Sequence, residues 1–236
     1  MGCGASTPID LTTVNGGMSS GLQSISGTRI GFLLKQKMFS WSGNSFAIKD
    51  HTGQEHFHVK GNAMSVRDKM HVTDAAGVKV AVLQKKILAL RITFYIYSYK
   101  PNFDGQESTE TDKDGEALYR YAFVEDQVLS FVGRQVVKRF LTSNEQDEAV
   151  GAFEISAQFA MKFTCQIKTY LTPEEKKKGG AQEVIATAGQ TTFFQWEGAT
   201  LIGVEMAPGC DVLLVLLGMV AAEKIKEMKE AAGAGA

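Results

Sequence analysis

The first six residues carry the most specific chemical instruction in the chain. Met1-Gly2-Cys3-Gly4-Ala5-Ser6 fits M-G-x-x-x-[ST], the pattern that exposes Gly2 to N-myristoylation once Met1 is removed. One myristoyl chain holds a protein to a bilayer with an association constant of only about 10⁴ M⁻¹, so durable attachment needs a second signal. Cys3 offers a thiol for S-palmitoylation. No Lys or Arg precedes Arg29, which leaves the polybasic alternative without residues. Gly2 and Cys3 are therefore the expected lipidation sites, and membrane lipid reached through acylation is the first expected partner.

Elsewhere the chemistry is thinner. The basic groups Lys35/Lys37, Lys85/Lys86 and Arg134/Lys138/Arg139 are where an anionic head group could dock. Lys35, Lys37, Lys85 and Lys86 flank strands, so a shared basic rim is the candidate lipid-binding site, while an ordinary solvated rim is the first expectation. Glu110, Asp112, Asp114 and Gly115 match positions one, three, five and six of a calcium loop, but position twelve is Tyr121, so a solvated acidic loop is the expectation. His56 and His58 share a strand face, with His51 and His71 nearby in sequence, yet no Cys or carboxylate stands at a supporting spacing. No metal and no cofactor is expected. Cys165 alternates with core residues and Cys210 precedes an apolar run, so both read as small apolar fillers. Gly17-Met18-Ser19-Ser20-Gly21 spells G-x-S-x-G, but the strand before and helix after that a nucleophile elbow needs are missing, and all four His precede residue 72. No catalytic residue is expected.

The whole-chain arithmetic agrees. The 236 residues carry 25 Lys+Arg against 26 Asp+Glu, a net charge of -1, so no global field draws the chain to nucleic acid. Three cysteines and no N-x-[ST] acceptor favour a reducing compartment. No secretory signal and no apolar run of about 18 residues is present, so no spanning helix is expected. Residues 1–28 hold six Gly and nine Ser or Thr, the composition of a tether. Residues 29–236 read as one domain.

That domain is mainly β. From Ile30 the dominant period is two, with short β-branched and aromatic segments at 45–49, 55–60, 78–83, 91–97, 119–124 and 191–197. Alternation over residues 153–168 reads as one long strand, bent near Phe159 to Met161. Asp50-His51-Thr52-Gly53 and Asp74-Ala75-Ala76-Gly77 are D-x-x-G turns of two successive hairpins. Thr172-Pro173-Glu174-Glu175 is a capping box opening a short helix that Gly179 and Gly180 stop. Val212 to Ala222 reads VLLVLLGMVAA, with no polar side on a helical wheel. Eleven residues span about 16 Å, too short for lipid and the right length to thread a barrel of five- or six-residue strands. Asp211 would complement the dipole at its start, and Lys224, Lys226 and Lys229 would sit towards an exposed end.

The order of these motifs resembles the LURP-one-related family. The residues are Phe46, Ile48, Asp50 and Gly53, then Phe57 and Val59, then the second D-x-x-G leading to Val80-Ala81-Val82-Leu83-Gln84-Lys85-Lys86. The ending Ala207-Pro208-Gly209-Cys210-Asp211-Val212 before an apolar helix matches too. The resemblance covers about residues 32 to 228. It implies the tubby C-terminal-like fold, a closed antiparallel β-barrel of about twelve strands around a central hydrophobic C-terminal α-helix. For function it implies relatives without an established reaction, and structural relatives that bind phosphoinositides or are phospholipid scramblases; the cysteine-rich cluster of the scramblases is absent here. The expectation is a non-enzymatic barrel on the cytoplasmic face of a membrane that binds anionic lipid or a protein partner. A scramblase-like lipid mover and a structural adaptor are the alternatives.

Overall fold

The computed structural model describes residues 30–35, 45–50, 52–61, 69–87, 91–127, 134–140, 150–158, 164–196, 199–208 and 210–233. Residues 1–28, and with them Gly2 and Cys3, lie outside the described residues, as do Lys37 and His51.

Among the described residues thirteen strands and two helices follow one another: β1 (Ile30–Lys35), β2 (Phe46–Asp50), β3 (Glu55–Gly61), β4 (Lys69–Asp74), β5 (Lys79–Lys85), β6 (Thr93–Ser98), β7 (Glu110–Thr111), β8 (Ala117–Asp126), β9 (Arg134–Arg139), β10 (Val150–Gln158), β11 (Thr164–Thr169), α1 (Pro173–Lys177), β12 (Val184–Trp196), β13 (Ala199–Met206) and α2 (Val212–Gly233). The sheet runs β6-β5-β4-β3-β2-β1-β13-β12-β11-β10-β9-β8, and β6 pairs back onto β8, so twelve antiparallel strands close into a barrel. The two-residue β7 hangs on the start of β8, outside that ring. Closure satisfies the hydrogen-bonding groups that an open sheet would leave along its two edges.

The helix fills the barrel. Residues 212–222 of α2 are buried without a break, among them Leu213, Leu214, Leu216 and Leu217, each fully enclosed. Inward side chains of the wall, such as Ile48, Val59, Leu83, Ile96 and Ile167, meet them in one continuous core. Gly218 marks the tightest approach: a β-carbon there would stand 3.2 Å from Phe153 and Val137 and 3.3 Å from Ile155. The helix also runs further than the apolar stretch suggests. It has 22 residues, about 33 Å at 1.5 Å each. Burial continues to Lys224 and Ile225 before Lys229 and Glu230 emerge. Lys224, expected near the exposed end, is instead enclosed, its ammonium donating to Glu227 Oε2 at 2.7 Å one turn on. Among the described residues no helix is long and apolar enough to cross a membrane.

A second correction concerns the long strand over 153–168. It is a hairpin, β10 and β11, with Ile155 opposite Ile167 and Ala157 opposite Cys165. Partners in this register sum to an even number, so inward positions keep the same parity in both arms. The sequence alternation therefore runs straight through the reversal of direction.

Three turns share one construction. Asp50, Asp74 and Asp112 each accept through Oδ1 from the backbone N–H groups two and four residues on, at 2.8–3.0 Å. Each is followed at the fourth position by a glycine with φ near +84°: Gly53 at 86°, Gly77 at 82° and Gly115 at 83°. Only glycine adopts that conformation without strain. Two of the three turns were legible as D-x-x-G. The third, Asp112-Lys113-Asp114-Gly115, is the same turn hidden within the acidic spacing of the loop.

Candidate functional site

Strand direction gives the barrel two distinct ends. β2, β4 and β6 run towards one end, β1, β3 and β5 towards the other. The helix starts at the end that carries the three Asp turns. Its tail leaves at the opposite end, where Lys229 Nζ bridges Asp126 at the close of β8 (2.7 Å).

At the helix-start end the polar groups are turned on one another. Asp211 is completely buried; its Oδ1 accepts from Leu214 N at 3.1 Å, its carbonyl from Val215 N at 3.0 Å, and Tyr121 Oη donates to its Oδ2 at 2.6 Å. The residue thus caps the helix, a more exact role than dipole complement, and ties it to the wall. Tyr121, position twelve of the would-be calcium loop, faces inward. The loop's acids meet an internal cation, because Lys79 Nζ lies 2.8 Å from Asp112, 2.6 Å from Asp114 and 3.2 Å from Glu116. Burial works against ionisation of Asp112, but hydrogen bonds from Lys79, from the Glu116 and Asp114 amides and from Tyr99 outweigh it, holding the carboxyl well below its usual range. Asp50 is held low in the same sense by Thr52 and His56. His56 Nε2 lies 2.9 Å from Asp50, and His58 Nδ1 lies 3.4 Å from Glu55, so the two histidines face separate carboxylates. Among the described residues no group of three His, Cys, Asp or Glu could hold a metal.

The thiols are poor nucleophiles. Burial pushes Cys165 up to about 12, with Glu223 adding to the rise, and burial pushes Cys210 up to about 11. Both side chains are enclosed in the core, as the sequence suggested.

The helix-exit end holds the expected basic residues. Lys35 closes β1, in register with Leu201, and Lys85 closes β5, in register with Phe94. β1 and β5 run the same way, so the two lysines reach the same end of the barrel. Four strand spacings of about 4.8 Å separate them, roughly 19 Å around the wall, so they share an end without being neighbours. Lys86 is exposed; its Nζ donates to Tyr95 Oη at 3.0 Å and stands 5.3 Å from the ring. Arg120 lies 5.2 Å from the same ring. Tyr95, Phe123 and Phe140 continue as a half-buried aromatic row over the outer wall, at centroid distances of 6.1 and 5.6 Å. Tyr95 and Phe123 are cross-strand partners, which is why alternate outward positions of β6 and β8 build one surface. The third basic group is engaged elsewhere: Arg134 pairs with the buried Glu154, Lys138 lies 2.9 Å from Glu125, and Arg139 stacks 5.1 Å from the Tyr121 ring.

Two cations missing from the sequence reading, Lys60 near the end of β3 and Arg91 just before β6, are exposed at this same end. They lie 31 residues apart, and only the order of the strands brings them round one rim.

A family model described as LURP-one-related matches residues 30–223. Among curated proteins, the uncharacterized protein YxjI of Bacillus subtilis is 36% identical over 61 residues, a match covering 26% of this chain and 37% of that protein, so the chain spans little more than a third of that relative's length. Among solved structures, the X-ray structure of an Arabidopsis thaliana protein superposes with a TM-score of 0.55 at 15% identity, covering 89% of this chain and 99% of that one. At that identity the likeness is one of fold.

Proposed function

The chain belongs to the LURP-one-related family, and from that premise we propose that it is a non-enzymatic barrel, acylated at Gly2 and Cys3, that binds anionic lipid at the cytoplasmic face of a membrane. The observation that carries this reading is the filled interior. α2 occupies the space that a ligand-carrying barrel would leave open, so recognition falls to the ends and the outer wall. Of those surfaces, the helix-exit end with Lys85 and Lys86 offers cations to a phosphate-bearing head group. The enclosed, poorly ionising thiols and the carboxylates already held by Lys79 support a role without a covalent or acid-base step. A docked protein in place of lipid is the second reading, favoured by the aromatic row of Tyr95, Phe123 and Phe140. A scramblase-like role is less well supported, since the apolar half of α2 is already covered by the wall.

The test separates the tether from the barrel. Unacylated full-length protein is floated with vesicles of phosphatidylcholine alone and of phosphatidylcholine with a phosphoinositide. Binding to the second and not the first is expected; equal weak binding to both removes the lipid role. Mass spectrometry of the native N-terminus reads the acylation directly, and an intact Met1 would end that part of the proposal.

A further inference from the structure

The two ends of the β1–β6 half of the wall differ in charge, and the difference is not visible in the net charge of -1. At the helix-start end the described segments 49–50, 52–55, 74–79, 99–109 and 111–116 carry Asp50, Glu55, Asp74, Asp104, Glu107, Asp112, Asp114 and Glu116 against Lys49, Lys79, Lys100 and Lys113, with Glu110 lying between the ends. At the helix-exit end the described segments 58–61, 69–72, 82–87 and 91–95 carry Lys60, Lys69, Lys85, Lys86 and Arg91, and no Asp or Glu; on the rest of that end Glu125 and Asp126 are met by Lys138 and Lys229, and Glu227 and Glu230 of α2 by Lys224 and Lys226. Lys69 is engaged by Glu110 at 3.8 Å, and Lys86 leans on Tyr95. Lys60, Lys86 and Arg91 are exposed and have no carboxylate partner among the described residues. Next to Lys86 stands Ile87, 52% exposed. Basic side chains around a protruding apolar one suit the boundary between anionic head groups and acyl chains.

Resting on the lipid-binding reading above, we infer that the barrel meets the bilayer end-on, with Lys60, Lys86 and Arg91 at the helix-exit end against an anionic lipid surface and the Asp turns facing away. The attraction is one of charge, summed over separate cations on a curved rim. The acyl anchor permits this orientation although β1 begins at the other end. The 29 residues before Ile30 have a contour of about 95 Å at 3.3 Å per residue, about three times the length of α2.

The probe is a vesicle of phosphatidylcholine with phosphatidylserine, set against phosphatidylcholine alone, and the protein is the unacylated full chain. A cation near an anionic surface changes partitioning about fivefold, so the triple variant Lys60→Gln, Lys86→Gln, Arg91→Gln is expected to lose about a hundredfold. Lys49→Gln, Lys100→Gln, Lys113→Gln removes the same charge from the acidic end and is expected to bind within about twofold of wild type. All six side chains are exposed, and matching thermal melts confirm that both triples fold. Equal losses in the two triples, or none in the first, overturn the end-on orientation while leaving lipid binding standing. Failure of the wild type to bind serine-containing vesicles overturns the end-on orientation, while the lipid reading stands or falls on the phosphoinositide flotation above.

Discussion

The end where the central helix begins and the end where it leaves are built on opposite principles. At the start, polar atoms are paired within the fold: the buried Asp211 caps α2 and receives the Tyr121 hydroxyl, while three aspartates each close a turn on two backbone amides. At the exit, the helix sheds its burial over a few residues and the surrounding cations face outward. One end turns its polar groups on holding the fold; the other presents exposed cations such as Lys60, Lys86 and Arg91 to solvent. A residue's charge therefore says little about its role until its end of the barrel is known.

The contrast is sharpest in stability. Asp211→Ala removes a buried helix cap and strands the Tyr121 hydroxyl, and the two losses together are expected to cost about 3 kcal/mol in urea unfolding. A loss below about 1 kcal/mol would mean that solvent reaches this end, and the contrast would fail.

Acid titration probes the same asymmetry. Asp50 and Asp112 have folded pKa values depressed below the ordinary aspartate value, so their contribution is complete above about pH 4 and is lost as pH falls through the lower folded values. His71, whose imidazole burial holds below 6.5, works in the same direction: the unfolded chain takes its proton first, so stability declines from about pH 6.5 downward. The urea midpoint should fall in two stages on acidification. In the double variant Asp50→Asn, Asp112→Asn the lower stage should flatten, since Asn keeps the acceptor oxygen and loses the charge. A variant as acid-sensitive as wild type would shift the credit to other carboxylates.

The smallest effect belongs to the exit. Lys229 reaches the buried Asp126 from a half-exposed position, and with Gln135 still donating to that carboxylate Lys229→Ala should change unfolding by no more than about 1 kcal/mol. A larger cost would show that this end is held as firmly as the other.

Much of this architecture was legible locally. The D-x-x-G turns, the Thr172 capping box and the apolar run after Asp211 are each set within a few residues, and each formed as its chemistry required. The closed β-barrel could be inferred from an apolar helix that needed covering on every side. What escaped was non-local or ambiguous. The β10–β11 reversal preserves parity and so leaves the alternation intact. Lys224 is polar by type yet lies where the wall still surrounds the helix. The turn at Asp112 reads as a solvated acidic loop because the cation its acids face is not local; Lys79, 33 residues upstream, is what they face. Of the basic rim, Lys85 and Lys86 are adjacent in sequence and stood out, whereas Lys60 and Arg91 are brought to it only by four strands of pairing.

The order of synthesis gives the central helix a further consequence. Its strands all precede in the chain the apolar side chains they must close around, which lie in α2. Until α2 is synthesised the nascent chain carries a dozen strands' worth of apolar surface with nothing to wrap, a period in which chaperones have most to do, and a chain cut just before Val212 is left with an unfilled barrel.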